Sequence, residues 1–296
     1  MGCAKVEKKG ENMKKLIPMA ICYDFDGTLA FGNMQEHGFV NKLQMTPREF
    51  WQMSNDYAKE QNADPILAYM KMMRDCAFEK GLPFTRKEFQ EYGATVPLFP
   101  GVDTWFRRIN AYAASKGVRL EHYIISSGLK EMIEGTQIAP YFKQIYASTF
   151  MYDEKGEAVW PAVALNYTAK TQFLFRINKG CHDINDNETI NRSMPEEDKP
   201  VPFSHFVYVG DGDTDVPCMK MVKILGGHTV AVYQPKKKGA SQKAKRLVKD
   251  RRADIGVPAD YSELSQMDMF MRAIVDKIAA SAQVVRFIKR KKKVVS

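Results

Sequence analysis

Two short apolar segments of this chain each run directly into a cluster of aspartates. Residues 16–23 lead into the Asp-Phe-Asp-Gly-Thr segment at 24–28, and residues 206–209 lead into the Gly-Asp-Gly-Asp-Thr-Asp segment at 210–215. Apolar runs of this length, followed by turn residues, predict buried strands. Open α/β sheets bind ligands where their strands end. The two segments therefore predict an acidic ligand site at one edge of a sheet.

The carboxylates of these segments predict a metal site. Asp24 and Asp26 lie two residues apart in an extended segment, so their side chains address one face. Asp211 and Asp215 bring two more acids to the same crevice. Four such groups repel one another unless a divalent cation neutralises them or their pKa values rise. Hard oxygen ligands beside a phosphate favour Mg²⁺.

Polar residues after a third apolar run, at 123–125, complete a phosphate site. Ser126 and Ser127 offer hydroxyl donors, and a lysine supplies the point charge that phosphoryl oxygens need. We favour Lys170 because it opens an amphipathic helix at 171–178 after a loop. Three other lysines compete with it in the sequence: Lys143, Lys155 and Lys179.

In residue type and order, these four segments resemble the motifs of the haloacid dehalogenase superfamily of phosphohydrolases. The resemblance implies that Asp24 is the nucleophile and that Asp26 is the general acid and base. It implies that Ser126 and Lys170 hold the phosphoryl oxygens. It also implies that Mg²⁺ is bound by the side chains of Asp24 and Asp211 and the backbone carbonyl of Asp26, with Asp215 in support.

The same resemblance narrows the reaction. Superfamily members that cleave carbon–halogen bonds lack an acid two residues after the nucleophile, and ion pumps carry threonine there. Asp26 therefore favours Mg²⁺-dependent hydrolysis of a small phosphomonoester through an aspartyl phosphate. A phosphomutase uses the same residues and stays open. The alternative to a catalytic role is a purely structural one, because Asp-Gly segments are common in turns. We interpret Asp213, which lies between the two expected metal ligands, as such a turn residue.

The domain pattern predicts an α/β protein with a Rossmann-like, doubly wound, mostly parallel sheet and an inserted helical cap. We assign residues 14–30 and 97–264 to the core, 31–96 to the cap, 1–13 to a disordered leader and 265–296 to a C-terminal helix with a basic tail. Gly32 and residues 97–101 are the predicted hinges. Capping residues predict three cap helices, which begin at Thr46, Asp64 and Thr85.

Three further segments have interpretable patterns. A Met and aromatic stripe in the cap, from Phe50 to Met73, favours cap core over substrate pocket. Residues 148–163 predict a hairpin that is similar to the phosphoserine phosphatase branch. Residues 181–202 lack the glycine and the final acid of a calcium loop, so we predict a polar loop that overhangs the site, with His182 as an ordinary loop histidine.

The positive charge of the chain leaves a second class of function open. The chain carries a formal charge of +9, and its basic clusters lie at 236–238, 243–252 and 286–293. Such clusters attract nucleic acid, so a nucleic-acid-binding protein or a polynucleotide phosphatase is an alternative. We prefer a solvated basic surface, because few aromatic residues for base stacking lie between the clusters. The oligomeric state stays open.

Composition sets the expected compartment. No apolar stretch approaches the roughly 18 residues that a membrane helix needs. The five cysteines are scattered and odd in number, which indicates free thiols in a reducing environment. We therefore expect a cytoplasmic protein.

Overall fold

A computed structural model describes the backbone of residues 16–295 and the side chains of residues 16–288. The predicted leader at 1–13 lies outside the described residues. Seven strands form one sheet in the order β4-β3-β2-β1-β5-β6-β7. The strands are β1 (Ile17–Tyr23), β2 (Val118–Leu129), β3 (Phe142–Tyr152), β4 (Ala158–Val163), β5 (Phe206–Gly210), β6 (His228–Tyr233) and β7 (Ile255–Pro258). All neighbours are parallel except β3 and β4, which confirms the predicted fold class and the hairpin.

Eleven α-helices surround the sheet in the described part of the chain. They are α1 (Phe39–Lys42), α2 (Pro47–Glu60), α3 (Pro65–Glu79), α4 (Arg86–Gly93), α5 (Val102–Ser115), α6 (Lys130–Glu134), α7 (Thr171–Lys179), α8 (Asn187–Asn191), α9 (Val216–Ile224), α10 (Ala240–Lys249) and α11 (Gln266–Val295). None of the described helices is long and apolar enough to cross a membrane.

The central strand β1 carries two hydrophobic cores on its two faces. Met19, Ile21 and Tyr23 pack in a core that also contains side chains of α5 and α11. The intervening Ala20 and Cys22 pack in a second core with side chains of α7, α9 and α10. Alternate strand residues point to opposite faces, so helices cover both sides of the sheet. The sheet is therefore doubly wound, as predicted.

Five helices, α1 to α5, lie between the first and second strands in the sequence, and α1 to α4 fall within the range predicted for the cap. The predicted caps are present: Thr46 accepts from the backbone N–H of Glu49, Asp64 accepts from those of Ile66 and Leu67, and Thr85 accepts from that of Glu88. Helix α4 crosses the core helix α6 at a very short distance. A Cβ atom on Gly93 would lie 1.9 Å from the backbone oxygen of Met132, so only glycine permits this crossing. The boundaries of cap and core stay a prediction.

Two details differ from the sequence predictions, and a third agrees with them. Strand β7 was not predicted, because its four residues include a glycine and a proline, which weaken a strand pattern. Helix α8 interrupts the segment predicted as one polar loop. Helix α11 runs from Gln266 to Val295, close to the predicted range. The four cysteines that the structure describes are free thiols, as predicted.

Candidate active site

The ends of β1, β2 and β5 bring the predicted residues to one edge of the sheet. Tyr23 is in register with Ile124 of β2 and Val209 of β5, so the residues that follow these positions emerge side by side. The backbone N–H of Asp24 still donates to Val209, at 2.9 Å. This bond carries the strand pairing one residue further and places the Asp24 side chain over the end of the sheet.

Asp24 is held by a backbone donor and by a cation. Its carboxylate is 6% exposed, and Oδ1 accepts from the N–H of Phe25 at 2.8 Å. Lys170 Nζ lies 3.2 Å from the same oxygen. Burial raises the pKa of Asp24 to about 7, with the Asp215 charge as the second cause and Lys170 opposing it. In the absence of a metal, Asp24 is therefore partly protonated at neutral pH.

The turn after Asp24 depends on a glycine. Gly27 has a φ of +70°, and a Cβ atom there would lie 2.6 Å from Oδ2 of Asp211. Its N–H donates to Ala30 at 2.9 Å and closes the turn. An L-residue with a side chain would be strained in this conformation and would collide with the carboxylate. Gly27 therefore allows the first and last motifs to meet.

Asp26 lies on the same turn in a different environment. Its Oδ1 accepts from the N–H of Met34 at 2.9 Å, and its Oδ2 lies beside Gly128, where a Cβ atom would be 3.0 Å away. Burial, followed by the charge of Asp24, raises the pKa of Asp26 well above its ordinary value. Burial therefore favours the protonated form of Asp26 in the metal-free protein.

Lys170 connects the two acidic segments, because its ammonium group contacts Asp24 of the first and Asp215 of the second. Its side chain is fully buried, and Nζ donates to Oδ1 of Asp215 at 2.8 Å while contacting Asp24. Burial alone would lower the pKa of Lys170, but the charges of Asp215 and Asp24 outweigh it and raise the pKa. The competing lysines lie elsewhere: Lys143 pairs with Glu121, Lys179 bonds backbone oxygens of Ile190 and Arg192, and Lys155 lies in the hairpin turn.

A group of three carboxylates could hold a metal ion. One oxygen each from Asp24, Asp211 and Asp215 lies within 4.8 Å of the others. Burial, then the Asp215 charge, raises the pKa of Asp211 to about 6. Hard oxygen donors that repel one another in a buried cluster suit a divalent cation. The side chain of Asp26 is outside this group, and its predicted backbone contribution stays a prediction.

Asp215 is the most tightly held of the three. Oδ1 accepts from Tyr208 at 2.8 Å as well as from Lys170, and Oδ2 accepts from the N–H of Gly212 at 3.2 Å. Tyr208 was not singled out in the sequence, where it is one aromatic residue of an apolar strand. By contrast, Asp213 is exposed and lies 3.5 Å from Lys243, in accordance with its interpretation as a turn residue.

The two serines stand at the end of β2, where its pairing with β3 shifts register. Ser126 is 1% exposed, and its Oγ accepts from the N–H of Gly128 at 3.1 Å. The Ser127 Oγ is buried and has no hydrogen-bond partner among the described residues. A buried hydroxyl without a partner costs free energy, so Ser127 has a donor available to a ligand.

One cavity of about 340 Å³ is lined by residues of the inserted helices together with Asp24, Asp26, Ser126, Ser127 and Asp211. Lys170 and Asp215 are fully buried and do not line it. The additional lining includes Asn33, Gln35, Glu36, Trp51, Asn55 and Tyr69. Glu36 accepts from Asn33 at 2.7 Å and from Trp51 Nε1 at 2.8 Å. Tyr69 donates to the backbone oxygen of Ser127 at 2.8 Å. We call Glu36, Trp51, Asn55 and Tyr69 the cap wall.

The residues that line the cavity correct two predictions made from the sequence. The aromatic stripe serves both purposes: Phe50, Met70 and Met73 are buried core, whereas Trp51 and Tyr69 line the cavity. The loop at 181–202 does not overhang the site, since none of its residues, all of which the structure describes, lines this cavity. Three bonds from the Arg176 guanidinium to backbone oxygens hold this loop away. His182 instead bonds Tyr146 at 2.9 Å.

Comparison with known proteins agrees with this arrangement. The family model described as haloacid dehalogenase-like hydrolase matches residues 21–220. An uncharacterized protein of Borreliella burgdorferi is 27% identical over 293 residues, covering 89% of this chain and 97% of that protein.

Solved structures show the same fold. A HAD family hydrolase from Salmonella enterica has a TM-score of 0.57 at 15% identity, over 88% of this chain and 72% of that one. A phosphoserine phosphatase, solved as a phospho-aspartyl intermediate analogue, has a TM-score of 0.50 at 16% identity, over 81% and 93% of the two chains. The match of the family model covers more than half of the sequence. The chain therefore belongs to the haloacid dehalogenase-like hydrolase family.

Proposed function

We propose that this protein is a Mg²⁺-dependent phosphatase that hydrolyses a small phosphomonoester through an aspartyl phosphate on Asp24. The observation that carries the proposal is the difference between the surroundings of Asp24 and Asp26, which lie two residues apart. Asp24 contacts Lys170 and belongs to the carboxylate group, whereas Asp26 lies outside that group and binds only a backbone N–H among the described residues. One acid is thus placed to work as an anion and the other as a proton carrier.

The first half of the reaction transfers the phosphoryl group to the protein. Among the described residues both contacts of Asp24 fall on Oδ1, which leaves Oδ2 for attack. A bond forms between this oxygen and phosphorus as the ester P–O bond breaks. Asp26, whose protonated form is favoured by burial, is proposed to give its proton to the departing alcohol oxygen. Assistance of this kind contributes roughly 10² to 10⁴ in rate.

The second half returns Asp24 to its carboxylate form. Asp26, now ionised, takes a proton from water as the water oxygen attacks phosphorus and the acyl phosphate bond breaks. Inorganic phosphate leaves. The same residue thus acts first as acid and then as base, and the protons and bonds balance over the cycle.

Neighbouring hydrogen-bond donors are proposed to bind the phosphoryl group. The Lys170 ammonium and the hydroxyls of Ser126 and Ser127 are proposed to hold the phosphoryl oxygens, and the unpartnered Ser127 Oγ supports this assignment. Asp24, Asp211 and Asp215 would hold Mg²⁺, with the Asp26 carbonyl as a further donor. The bound ion would supply positive charge that offsets these carboxylates and the phosphoryl oxygens.

The size of the cavity supports a small substrate. A volume of about 340 Å³ lies at the lower end of the range for small-molecule sites. The cap wall contributes a carboxylate, an amide and two aromatic side chains, so the leaving alcohol would meet hydrogen-bonding groups as well as apolar surface. We infer a polar phosphorylated metabolite.

The test is phosphate release from sugar phosphates, nucleotides, phosphoserine and a 3′-phosphorylated oligonucleotide, each with Mg²⁺ or EDTA. We expect Mg²⁺-dependent release from one class of small substrate, and none from the Asp24→Asn variant. Asp213→Asn, which removes an exposed acid from the acidic segment at 210–215, is the matched control and should retain full activity. Absence of release from every compound by the folded, Mg²⁺-loaded protein would contradict the proposal. Conversion of a substrate to its phosphate isomer would identify a mutase.

A further inference from the structure

The C-terminal helix α11 divides into a docked part and a projecting part. Its first turns pack on the sheet through a row of buried residues: Met267, Met271, Ile274, Val275 and Ile278. Ala282 is the last residue of the helix that packs against the described core. The backbone nevertheless continues as helix to Val295. The helix therefore continues for about three and a half turns past Ala282.

The projecting part exposes apolar side chains. Val284 is 57% exposed, Val285 49%, Phe287 67% and Ile288 54%. At about 100° per residue these four positions fall within an arc of about 160° of the helix. Single exposed apolar residues are ordinary on a protein surface, but a contiguous group indicates an interaction site.

The positive charge at the end of α11 indicates what kind of partner its exposed apolar residues bind. Residues 286–293 include six cations, at positions 286 and 289–293, and the sequence contains no Asp or Glu after Asp276. Apolar residues interleaved with lysine and arginine on a helix too polar to span a bilayer are typical of helices that lie at a membrane surface. Clusters of four to eight such cations bind anionic lipid headgroups.

We propose that residues 284–295 bind the surface of an anionic membrane, with the cations on the headgroups and the apolar face inserted between them. A second copy of the chain is a poorer occupant, because two such helices would bring their six cations together. Nucleic acid is poorer because Phe287 is the one residue of 284–295 with an aromatic ring that can stack on a base. Neither alternative uses both the charge and the apolar face.

The docked part of α11 would transmit this attachment to the enzyme. Asp268 is fully buried and pairs with Arg108 at 2.9 Å and with Arg272 at 3.0 Å. Asp276 accepts from Tyr112 at 2.8 Å. Because the bonds to Arg108 and Tyr112 fix the helix to α5, a membrane contact at residues 284–295 would hold the whole α/β core at the surface.

The test is flotation of the full-length protein with phosphatidylcholine vesicles, with or without phosphatidylglycerol. We expect binding only to the anionic vesicles, and release at high salt. Phe287→Glu should weaken binding by about tenfold or more, and the double variant Lys291→Gln/Lys292→Gln should do the same. Two matched controls should bind like the wild type. Phe78→Glu changes an 88% exposed phenylalanine elsewhere, and Lys245→Gln/Lys249→Gln removes two exposed lysines of α10.

Three results would overturn the proposal. The first is equal binding to neutral and anionic vesicles, or no binding to either, by protein whose circular dichroism shows it to be folded. The second is equal weakening by the control variants, which would indicate attraction by net charge alone. The third is a preference for an oligonucleotide, or a dimer abolished by Phe287→Glu, in place of vesicle binding. None of these readouts depends on phosphatase activity.

Discussion

The floor and the wall of the cavity are built in different ways. The floor consists of residues at or just after strand ends, among them Asp24, whose carboxylate pairs with Lys170. Lys170 and its second partner, Asp215, are fully buried and support the floor without lining the cavity. The cap wall consists of side chains on inserted helices, and Glu36 and Trp51 bond chiefly within that layer. Removing one member of a buried charged set leaves another charge uncompensated. The floor therefore tolerates little change, whereas the wall can vary without loss of the chemistry.

Asp26→Asn should give the largest effect among the floor variants compared here. We expect alkyl phosphate hydrolysis to fall by about 10² to 10⁴, because the leaving alkoxide loses its proton donor. Release of p-nitrophenolate, which needs no proton, should fall much less in the first step. Pre-steady-state kinetics with both substrates measures this contrast. Equal slowing of both bursts would show that Asp26 is not the acid.

Ser126→Ala should have an intermediate effect. The lost contact is a hydrogen bond to a charged group, which contributes about 1.5 to 3 kcal/mol, so kcat/KM should fall by about 10-fold to 150-fold. Because the floor binds the phosphoryl group that all substrates share, the fall should be uniform across the substrate panel. A fall in kcat/KM that depends on the leaving alcohol would instead indicate that Ser126 takes part in substrate selection.

Trp51→Phe should have a smaller and selective effect. It removes the N–H that Glu36 accepts at 2.8 Å and keeps an aromatic ring against the cavity. Loss of one such bond changes kcat/KM by about 2-fold to 10-fold, and the ranking of substrates should change while p-nitrophenyl phosphate is nearly unaffected. Steady-state kinetics on the same panel tests this. An equal loss for every substrate would remove the distinction between wall and floor.

Sequence was sufficient for the floor because its motifs are local. Asp24 and Asp211 each follow directly after a strand, and Gly27 marks the turn that lets their two segments meet. The wall was missed because Trp51 and Phe50 are neighbours with the same aromatic character, and only the rotation of α2 sends one to the cavity and the other to the core. Tyr208 was missed for a related reason, since its hydroxyl partner, Asp215, is defined only once β5 and the following turn are folded.

The floor also predicts a small dependence of stability on pH and metal. Without metal, the pKa values of Asp24 and Asp211 are about 7 and about 6, above the unfolded value of about 4. The folded state therefore binds these protons more tightly, and their stabilising contribution, complete below about pH 4, is lost as pH rises through 6 to 7.

We expect the melting temperature in EDTA to fall by about 2 to 5 °C between pH 5.5 and pH 8. Mg²⁺ should raise it more at pH 8 than at pH 5.5, since the ion replaces the protons. Asp211→Asn should reduce the pH effect in EDTA, and the exposed Asp213→Asn should not. Thermal melts of the three proteins provide the measurement. A melting temperature that rises over this interval in wild type and Asp211→Asn alike would contradict the assigned protonation.

The most direct test of the central proposal is to trap the covalent intermediate. The Asp26→Asn variant should still be phosphorylated by p-nitrophenyl phosphate and Mg²⁺ but should hydrolyse the acyl phosphate slowly. Acid quenching, borohydride reduction and peptide mass spectrometry then locate the modified residue. The account predicts conversion of Asp24 to homoserine, in proportion to the burst of nitrophenolate. A burst with no modification, or with the label on another residue, would show that Asp24 is not the nucleophile.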